Sequence, residues 1–356
     1  MLKEQKFGKD ITKGFRALVE KFLEVGPVGA QVALSDNSAV YALLTDKKMA
    51  EKADPYAPYY PGNAANFVKY VTRRKEPSGP VIFVLRPCEV KAVVELSKLG
   101  QVNLDNITLV SFDCAGTVPR TEFKEKAIPS GTDFMKKRDS WEVREICKSC
   151  DLVRHPAADV QVMLFDAKGD LVPIYAATEK GKRLVELLDG DAKDTEPPSD
   201  GLAKEQTARL DAQKKLFARL DSDVAGDDNL FRTFASCINC HNCMTNCPIC
   251  ICRECFFESE ALEFDADTVI ELAGRKGALR APADTMLFQI GRMSHMSTSC
   301  VGCGACEEAC PQDIPVGRVF KWVASRTQAL FDYHAGYSFN EQIPLKEFKE
   351  DELSPV

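Results

Sequence analysis

The chain has 356 residues, of which 45% are hydrophobic and 28% charged, and its formal net charge is −7. This length and composition predict a packed globular protein of two or three domains. The acidic balance disfavours nucleic acid as a partner, because phosphates and an acidic surface repel each other. No apolar run reaches the roughly 18 residues of a membrane span, and the charged N-terminus lacks a signal core. We therefore expect a cytoplasmic protein with no membrane span, unless a partner carries it elsewhere.

The first third of the chain alternates between helical and strand-like patterns. Its apolar residues predict, in chain order, helix 11–25, strands 31–35 and 39–44, helix 63–74, strand 80–86, helix 89–100 and strand 106–114. The strand that ends at Arg86 is almost wholly apolar, as in a parallel strand that is buried on both faces. Strands that alternate with helices predict an open α/β sheet.

The rest of the chain changes character twice. Residues 160–176 predict two strands around a Lys-Gly-Asp turn, and 190–201 are acidic and rich in Pro and Gly, as in a linker. Residues 202–220 predict an exposed, charged helix. We divide the chain into an α/β domain (1–190), an acidic and helical linker (191–230), an α-helical ferredoxin-like domain with a helical insert (231–318) and a C-terminal tail (319–356).

Fifteen cysteines dominate the chemistry of the sequence. In a reducing compartment, closely spaced thiols bind metal more often than they form disulfides. Two runs, 237–248 and 300–311, fit the pattern C-x2-C-x2-C-x3-C-P, in which three thiolates hold one 4Fe-4S cluster and the fourth crosses to the other. Site A is therefore predicted to comprise Cys237, Cys240, Cys243 and Cys310. Site B is predicted to comprise Cys300, Cys303, Cys306 and Cys247.

Zinc is the alternative metal for these thiol ligands, because zinc ribbons also use C-x-x-C pairs. A zinc ribbon needs two such pairs rather than two complete runs, so a zinc-stabilised interaction module is the weaker hypothesis. His241 lies inside the first run and is interpreted as a neighbour that tunes the cluster rather than as a ligand. The segment 263–296 separates the runs and predicts the helical insert.

Four further cysteines lie in the N-terminal domain. Cys88 and Cys114 follow predicted strands, and Cys147 and Cys150 form a C-x-x-C pair. Ligand sites of open α/β sheets lie beyond the carboxyl ends of strands, so these thiols could meet at that edge. The alternative is that Cys88 and Cys114 are small buried hydrophobic residues.

Several long motifs carry a family resemblance. The chain resembles the beta-subunit family of coenzyme F420 hydrogenases and dehydrogenases, and within it the formate dehydrogenase branch, at residues 53–71, 86–117, 247–258, 295–320 and 330–338. The simplest members of that family carry one 4Fe-4S cluster and an FAD in an α/β domain. The resemblance thus implies a third 4Fe-4S cluster at site C, which comprises Cys88, Cys114, Cys147 and Cys150.

The resemblance also implies an FAD near site C, against the loop after strand 80–86. Arg86 is a candidate for a flavin phosphate, with a structural ion pair as the alternative. Tyr59, Tyr60, Gly62 and Asn63 are candidates for ring contacts, with a solvent-exposed turn as the alternative. The chain lacks the Gly-rich entry to the first helix of hydrogenase-type members, so part of the flavin contact must differ.

These features predict an oxidoreductase subunit that passes electrons between a flavin and 4Fe-4S clusters inside a larger complex. The resemblance implies as partners a catalytic dehydrogenase or hydrogenase subunit, or heterodisulfide reductase-like subunits, and a deazaflavin or nicotinamide carrier. A pure iron–sulfur conduit without a substrate of its own is the alternative.

Cys250, Cys252 and Cys255 have no place in sites A, B and C. We expect them to be buried thiols or neighbours of the clusters. A fourth cluster with a ligand other than cysteine, or a replacement of assigned ligands, remains open.

Overall fold

The computed structural model of the protein describes residues 1–34, 37–73, 77–124, 126–262, 265–278 and 284–346. Among these, seven strands form one sheet in the order β1-β7-β6-β5-β4-β2-β3. The strands are β1 (Leu2–Lys6), β2 (Val28–Ala33), β3 (Ala39–Leu44), β4 (Val81–Leu85), β5 (Ile107–Phe112), β6 (Val160–Val162) and β7 (Leu171–Ala176). The sheet lies wholly within the first 190 residues.

The sheet is mixed, with a parallel centre and antiparallel edges. Strands β2, β4, β5 and β6 run parallel, whereas β3, β7 and β1 are antiparallel to their neighbours. The predicted α/β sheet is confirmed as a mixed sheet with helices. The sequence did not predict β1, because this short charged segment becomes a strand only through its pairing with β7.

The helices within the described residues are α1 (Ile11–Phe22), α2 (Lys47–Ala50), α3 (Ala65–Arg73), α4 (Pro87–Lys98), α5 (Gly131–Lys136), α6 (Glu145–Lys148), α7 (Glu179–Glu186), α8 (Asp200–Asp223), α9 (Asp227–Phe234), α10 (Asn242–Thr245), α11 (Ala266–Lys276), α12 (Thr285–Met296), α13 (Ala305–Glu308) and α14 (Val316–Ala329). Short 3-10 turns occur at Arg120–Phe123, Arg138–Ser140, Leu164–Asp166, Phe256–Glu258 and Glu260–Leu262. No helix in these described ranges is both long and apolar enough to cross a membrane.

Local chemistry fixes the two helices that cover the sheet. Helix α1 begins where the Asp10 side chain accepts a hydrogen bond from the Lys13 N–H at 3.0 Å, and its apolar face is buried on the sheet. Helix α4 begins with Pro87, and the Glu89 carboxylate accepts a hydrogen bond from the Arg86 N–H at 2.7 Å. A left-handed glycine, Gly100, follows its end.

The cysteine-rich half packs directly against the sheet domain. Ile249 and Val301 are buried in the same hydrophobic cluster as the valines of α4 and the strands β4 and β5. A separate cluster around Phe234, Phe288 and Phe320 forms the core of the cysteine-rich half itself. The two halves therefore share a packed interface, and the sites described below lie beside it.

Two segments differ from their predicted character. Helix α8 was predicted to be exposed, but its Arg209, Leu216 and Leu220 are buried against neighbouring elements. Helix α14 begins at Val316 and runs through the predicted start of the tail at 319, because its apolar face packs on α12.

Parts of other predicted segments lie outside the described residues. These are residue 35 of the first predicted strand, residue 74 of helix 63–74, residues 263–264 and 279–283 of the insert, and residues 347–356 of the tail. The rest of the segment between the two runs contains α11 and α12.

A buried ion network closes the carboxyl end of β5. The Arg154 guanidinium donates to both carboxylate oxygens of Asp113 at 2.7 Å and to Asp166 at 2.6 Å. All three side chains are buried. The network therefore links the loop after site C to the strand that precedes Cys114.

Replacing Arg154 with Met should destabilise the protein by about 3–5 kcal/mol, because two buried carboxylates would lose their cation. The measurement is the free energy of unfolding in urea. Arg183→Met on the exposed surface of α7 is the matched control, and it should change the stability by about 0.5 kcal/mol or less. Equal losses in the two variants would contradict this role for the network.

Candidate functional site

The four cysteines of site C line one cavity at the carboxyl edge of the sheet. Cys88 lies in the first turn of α4, directly after β4, and Cys114 lies two residues beyond β5. Cys147 lies in α6 and Cys150 follows it, so the loop brings this pair over the other two. The cavity holds about 410 Å³ of space between its atoms, its opening to solvent included. The structure thus brings together the four thiols whose meeting was predicted.

The loop after β5 needs a glycine to close around this cavity. Gly116 has a φ of +98°, and a Cβ there would meet Val143 Cγ1 at 2.6 Å and Cys147 Cβ at 3.2 Å. Its N–H donates to Cys114 Sγ at 3.4 Å, and Thr117 Oγ1 lies 3.5 Å from Cys147 Sγ. Hydrogen bonds of this kind to thiolate sulfur tune an iron–sulfur cluster.

Buried arginines surround site C and favour negative charge on its thiols. Burial raises the pKa of Cys114 to about 11, although Arg86 and Arg209 act to lower it. Burial also acts to raise the pKa of Cys147, but the Arg144 charge and hydrogen bonds from Thr117 outweigh it and lower that pKa. Burial raises the pKa of Cys88 well above its usual value, so among these three thiols only Cys147 is shifted toward the thiolate, the form that binds a cluster.

Two orphaned polar atoms show that a 4Fe-4S cluster fits site C. Tyr60 Oη and Arg144 Nη1 are buried and have no hydrogen-bond partner within the described residues, and both side chains line the cavity. A buried donor without an acceptor costs about 1–3 kcal/mol. The sulfides of a cluster on the four cysteines would supply acceptors to these donors. The residues present therefore fit the implied group.

Site C shares a wall with site B. Gly302 and Cys303 of the second run line the same cavity as the four N-terminal cysteines. Arg144 Nη2 donates to the Cys303 carbonyl oxygen at 2.9 Å, which ties the two halves together at this point. A cluster at site C would thus be adjacent to one at site B.

The two cysteine runs fold alike. Asn239 and His241 of the first run, and Gly302 and Gly304 at the equivalent positions of the second, all have left-handed backbone conformations. Each run then enters a one-turn helix, α10 or α13. The repeat seen in the sequence is therefore a repeat of backbone conformation as well.

The thiols assigned to sites A and B lie in two groups of neighbours. Burial raises the pKa of Cys243 to about 11 against the charge of Arg292, and the nearby Cys237, Cys240 and Cys310 add to the rise. Burial raises the pKa of Cys306 well above its usual value, again against Arg292, and its thiol neighbours include Cys247, Cys300 and Cys303. Each run therefore contributes its fourth cysteine to the other group. Their roles as ligands stay a prediction.

Orphaned polar atoms also surround site A. Buried atoms without a partner in the described part of the chain include His241 Nε2, Thr285 Oγ1 and Arg292 Nε. His241 lies in the first run, where its ring stacks on Phe288 of α12 with centroids 4.1 Å apart, and Arg292 donates to Cys243 Sγ at 3.1 Å. These atoms can donate hydrogen bonds to the sulfides of a cluster, so the residues of site A fit that group as well.

In the described ranges, no three Cys, His, Asp or Glu side chains form a group that could hold a single metal ion.

The sequence did not predict the side chains that contact these sites from distant parts of the chain. Gln289 and Arg292, one turn apart on α12, reach the Cys237 and Cys243 sulfurs at 3.5 and 3.1 Å. Arg209 of α8 donates to the Cys114 carbonyl oxygen at 2.7 Å. The only sequence signal for these residues is that they are polar and lie on helices. Such residues usually face solvent, so the signal is weak.

The three unassigned cysteines gather beside Cys247. Burial raises the pKa of Cys250 to about 11, and Cys247, Cys255 and Cys252 are among its neighbours. Cys250 and Cys255 are half-buried and pack on the core of this half, whereas Cys252 is exposed. The expectation of burial therefore suits two of the three thiols.

Four of the five residues predicted to contact a flavin make side-chain contacts within the protein. Arg86 is only 3% exposed, and its guanidinium donates to Gln31 and to the Ala57 carbonyl oxygen, both at 2.8 Å. A structural role, the alternative for this residue, agrees with those contacts. Asn63 is buried and accepts a hydrogen bond from the Ala65 N–H at 2.9 Å, at the start of α3.

The other three residues lie in the same segment. Tyr60 is buried beneath Arg144, and the Tyr59 ring packs on Phe123. Gly62 has a φ of +133°, which glycine tolerates best. The predicted turn is thus packed rather than solvent-exposed, and its role in flavin binding stays a prediction.

A larger crevice lies beside sites B and C. It opens between α4, α8 and α14. The space between its atoms is about 1160 Å³, its opening to solvent included. Cys300 and Gly302 of site B line it, and so do Asp151 and Leu152, which follow Cys150. A ligand bound there would contact the loops of two predicted clusters.

Comparisons with known proteins identify the class first. The model of the 4Fe-4S dicluster domain matches residues 233–314, which include every cysteine of sites A and B. This part of the chain is therefore a 4Fe-4S dicluster domain.

Two curated relatives then extend the match to almost the whole chain. The F420-dependent formate dehydrogenase subunit beta of Methanocaldococcus jannaschii is 24% identical over 94% of this chain and 93% of its own length. The F420-dependent formate dehydrogenase 1 subunit beta of Methanococcus maripaludis is 26% identical over 94% and 92%. The resemblance predicted from the sequence, to this beta-subunit family and its formate dehydrogenase branch, is confirmed.

Among solved structures, a chain of the F420-reducing [NiFe] hydrogenase complex of Methanosarcina barkeri, studied by xenon derivatization, is similar with a TM-score of 0.43. It is 14% identical, and the match covers 62% of this chain and 91% of that chain. A likeness of this size is too slight to establish a common fold.

Iron content tests site C. The anaerobically isolated protein should bind about 12 irons, and the double variant Cys147→Ser and Cys150→Ser should retain about eight, because one cubane contains four irons. Iron and acid-labile sulfide analysis gives both numbers. Cys252→Ser, an exposed thiol outside the three sites, is the control and should keep the full complement. Full iron in the double variant would refute site C.

Proposed function

We propose that this chain is the electron-transfer subunit of an oxidoreductase complex, which passes electrons between a flavin and three 4Fe-4S clusters. The observation that carries the proposal is the wall shared by sites B and C, where Cys303 borders a cavity lined by four other cysteines. The dicluster domain and the similarity to formate dehydrogenase beta subunits support a redox role.

Each bound cluster would accept and release one electron at a time. The chain itself holds each set of thiols, excludes water and sets the local charge. Arg144 contributes to two sites at once, since it lines the cavity of site C and donates to the Cys303 carbonyl oxygen. Electrons would therefore move through sites C, B and A in that spatial order, in either direction.

The crevice beside sites B and C is our candidate for the FAD site. Lys91 and Lys321 both face Asp151, at 2.9 and 3.5 Å, so that two cations share one carboxylate. The remaining positive charge suits the phosphates of a dinucleotide. Tyr333 and Tyr337 supply aromatic surface in the same crevice. This location agrees with the expectation of a flavin near site C, although the contacting residues differ from those predicted.

The partners in this proposal follow from the relatives. Both are named as beta subunits of F420-dependent formate dehydrogenase. We therefore propose a catalytic dehydrogenase subunit as the partner chain and a deazaflavin as the soluble carrier. Heterodisulfide reductase-like subunits, a hydrogenase subunit and a nicotinamide carrier are retained from the sequence as rival partners. A cytoplasmic location remains part of the proposal.

A pure iron–sulfur conduit is the second candidate function. The observation that favours it is that the side chains of Arg86, Tyr60 and Asn63 make contacts within the protein. A conduit would carry the same iron and no FAD.

Filling the crevice separates the two candidates. Ala329→Trp places an indole at the rim of the crevice, and we expect FAD to fall from about one per chain to less than about a tenth, with iron unchanged, because the ring would occupy the flavin's space. Flavin absorbance after anaerobic reconstitution with FAD is the measurement. Leu330→Trp, at an exposed residue that does not line the crevice, is the matched control.

Three results are distinguishable. A wild-type chain with full iron and no FAD would establish the conduit. A chain that binds FAD equally well in both tryptophan variants would place the flavin elsewhere. Zinc in place of iron would reject both redox functions.

A further inference from the structure

Arg292 is an arginine of α12 that lies inside the dicluster half. It is only 2% exposed. Its Nη1 donates to Cys243 Sγ at 3.1 Å, and its Nη2 donates to the Cys243 carbonyl oxygen at 3.1 Å. The Phe288 and Phe320 rings lie 5.5 and 4.8 Å from the guanidinium carbon. The cation is thus held in one orientation, with an edge toward site A.

Arg292 differs from the other arginines near the sites in its lack of a carboxylate partner. Arg86, Arg144 and Arg209 each have a glutamate within 4 Å. For Arg292, no Asp or Glu oxygen of the described residues lies within that distance. A buried charge without a counter-ion is costly, so another anion must balance it.

The neighbours of Arg292 show where that anion lies. Cys243 of site A accepts its hydrogen bond at 3.1 Å, and Cys306 and Cys247 of site B are among the thiols that interact with its charge. Its Nε is buried and has no partner in the described part of the chain. The guanidinium therefore faces thiols of both sites and retains a free donor.

We propose that Arg292 is the counter-ion of the two ferredoxin-type clusters and raises their reduction potentials, that of site A most. The inference rests on the proposed function, since it requires clusters at sites A and B. An added electron makes a cluster more negative, so a nearby fixed cation stabilises the reduced form. The guanidinium lies 3.1 Å from Cys243 Sγ, so its charge acts most strongly at site A.

Two substitutions separate the charge of Arg292 from its hydrogen bonds. Arg292→Gln keeps a donor and removes the charge, whereas Arg292→Lys keeps the charge and removes the two-pronged contact. Arg326→Gln, on the exposed face of α14, is the control. Each full-length variant is reconstituted anaerobically, analysed for iron and titrated with dithionite under EPR. The signal of site A is identified as the one lost in Cys240→Ser.

The midpoint potential of the site A signal should fall in Arg292→Gln, with a smaller fall at site B. It should stay near the wild-type value in Arg292→Lys and in the control. An unchanged potential in Arg292→Gln, or an equal fall in Arg292→Lys, would overturn the proposal.

Iron analysis keeps this outcome separate from the fate of the proposed function. Loss of about four irons from both Arg292 variants would also overturn the counter-ion role, because lysine retains the charge. A wild-type chain without iron would instead reject the clusters themselves.

Discussion

The structure depends on the placement of many thiols in a buried setting, where negative charge is stable only beside fixed cations. Arg144 meets this constraint at the boundary between the halves, since it lies in the cavity of site C and binds the Cys303 carbonyl. Arg209 does so from helix α8, through the carbonyls of Cys114 and Cys147. The cations that stabilise the thiols also hold the α/β domain, the linker helix and the dicluster domain together.

Cysteine spacing predicted the grouping of sites A and B, because cluster ligation imposes a local pattern on the chain, whereas site C was predicted from the family resemblance. The left-handed conformations at Asn239 and His241 repeat those at Gly302 and Gly304, so one motif folds twice with different residues. The central strands were also predictable, because a parallel strand buried on both faces is apolar throughout. The edge strand β1 was not, since its partner lies about 170 residues away.

Local sequence patterns could not predict the contacts of the supporting cations or of the flavin candidates, and the reason is the same for both. The sequence of α8 is typical of an exposed charged helix, and only its tertiary position places Arg209 against the Cys114 loop. Tyr60 resembles a surface aromatic residue in its turn, yet it is buried under Arg144. Arg86 donates hydrogen bonds to Gln31 of β2, to Tyr41 of β3 and to the Ala57 carbonyl oxygen of the turn. Such long-range hydrogen bonds leave no periodic signal.

The three sites differ in how their cations are balanced, and this difference bears on electron flow. Around site C, arginine charges are partly offset by glutamates, for example Arg144 by Glu308 at 3.6 Å. At site A, the charge of Arg292 is offset by thiols alone. An electron at site A therefore meets a cation with no competing carboxylate. In the proposed function, in which all three sites hold clusters, this asymmetry would favour an electron at site A over one at site C.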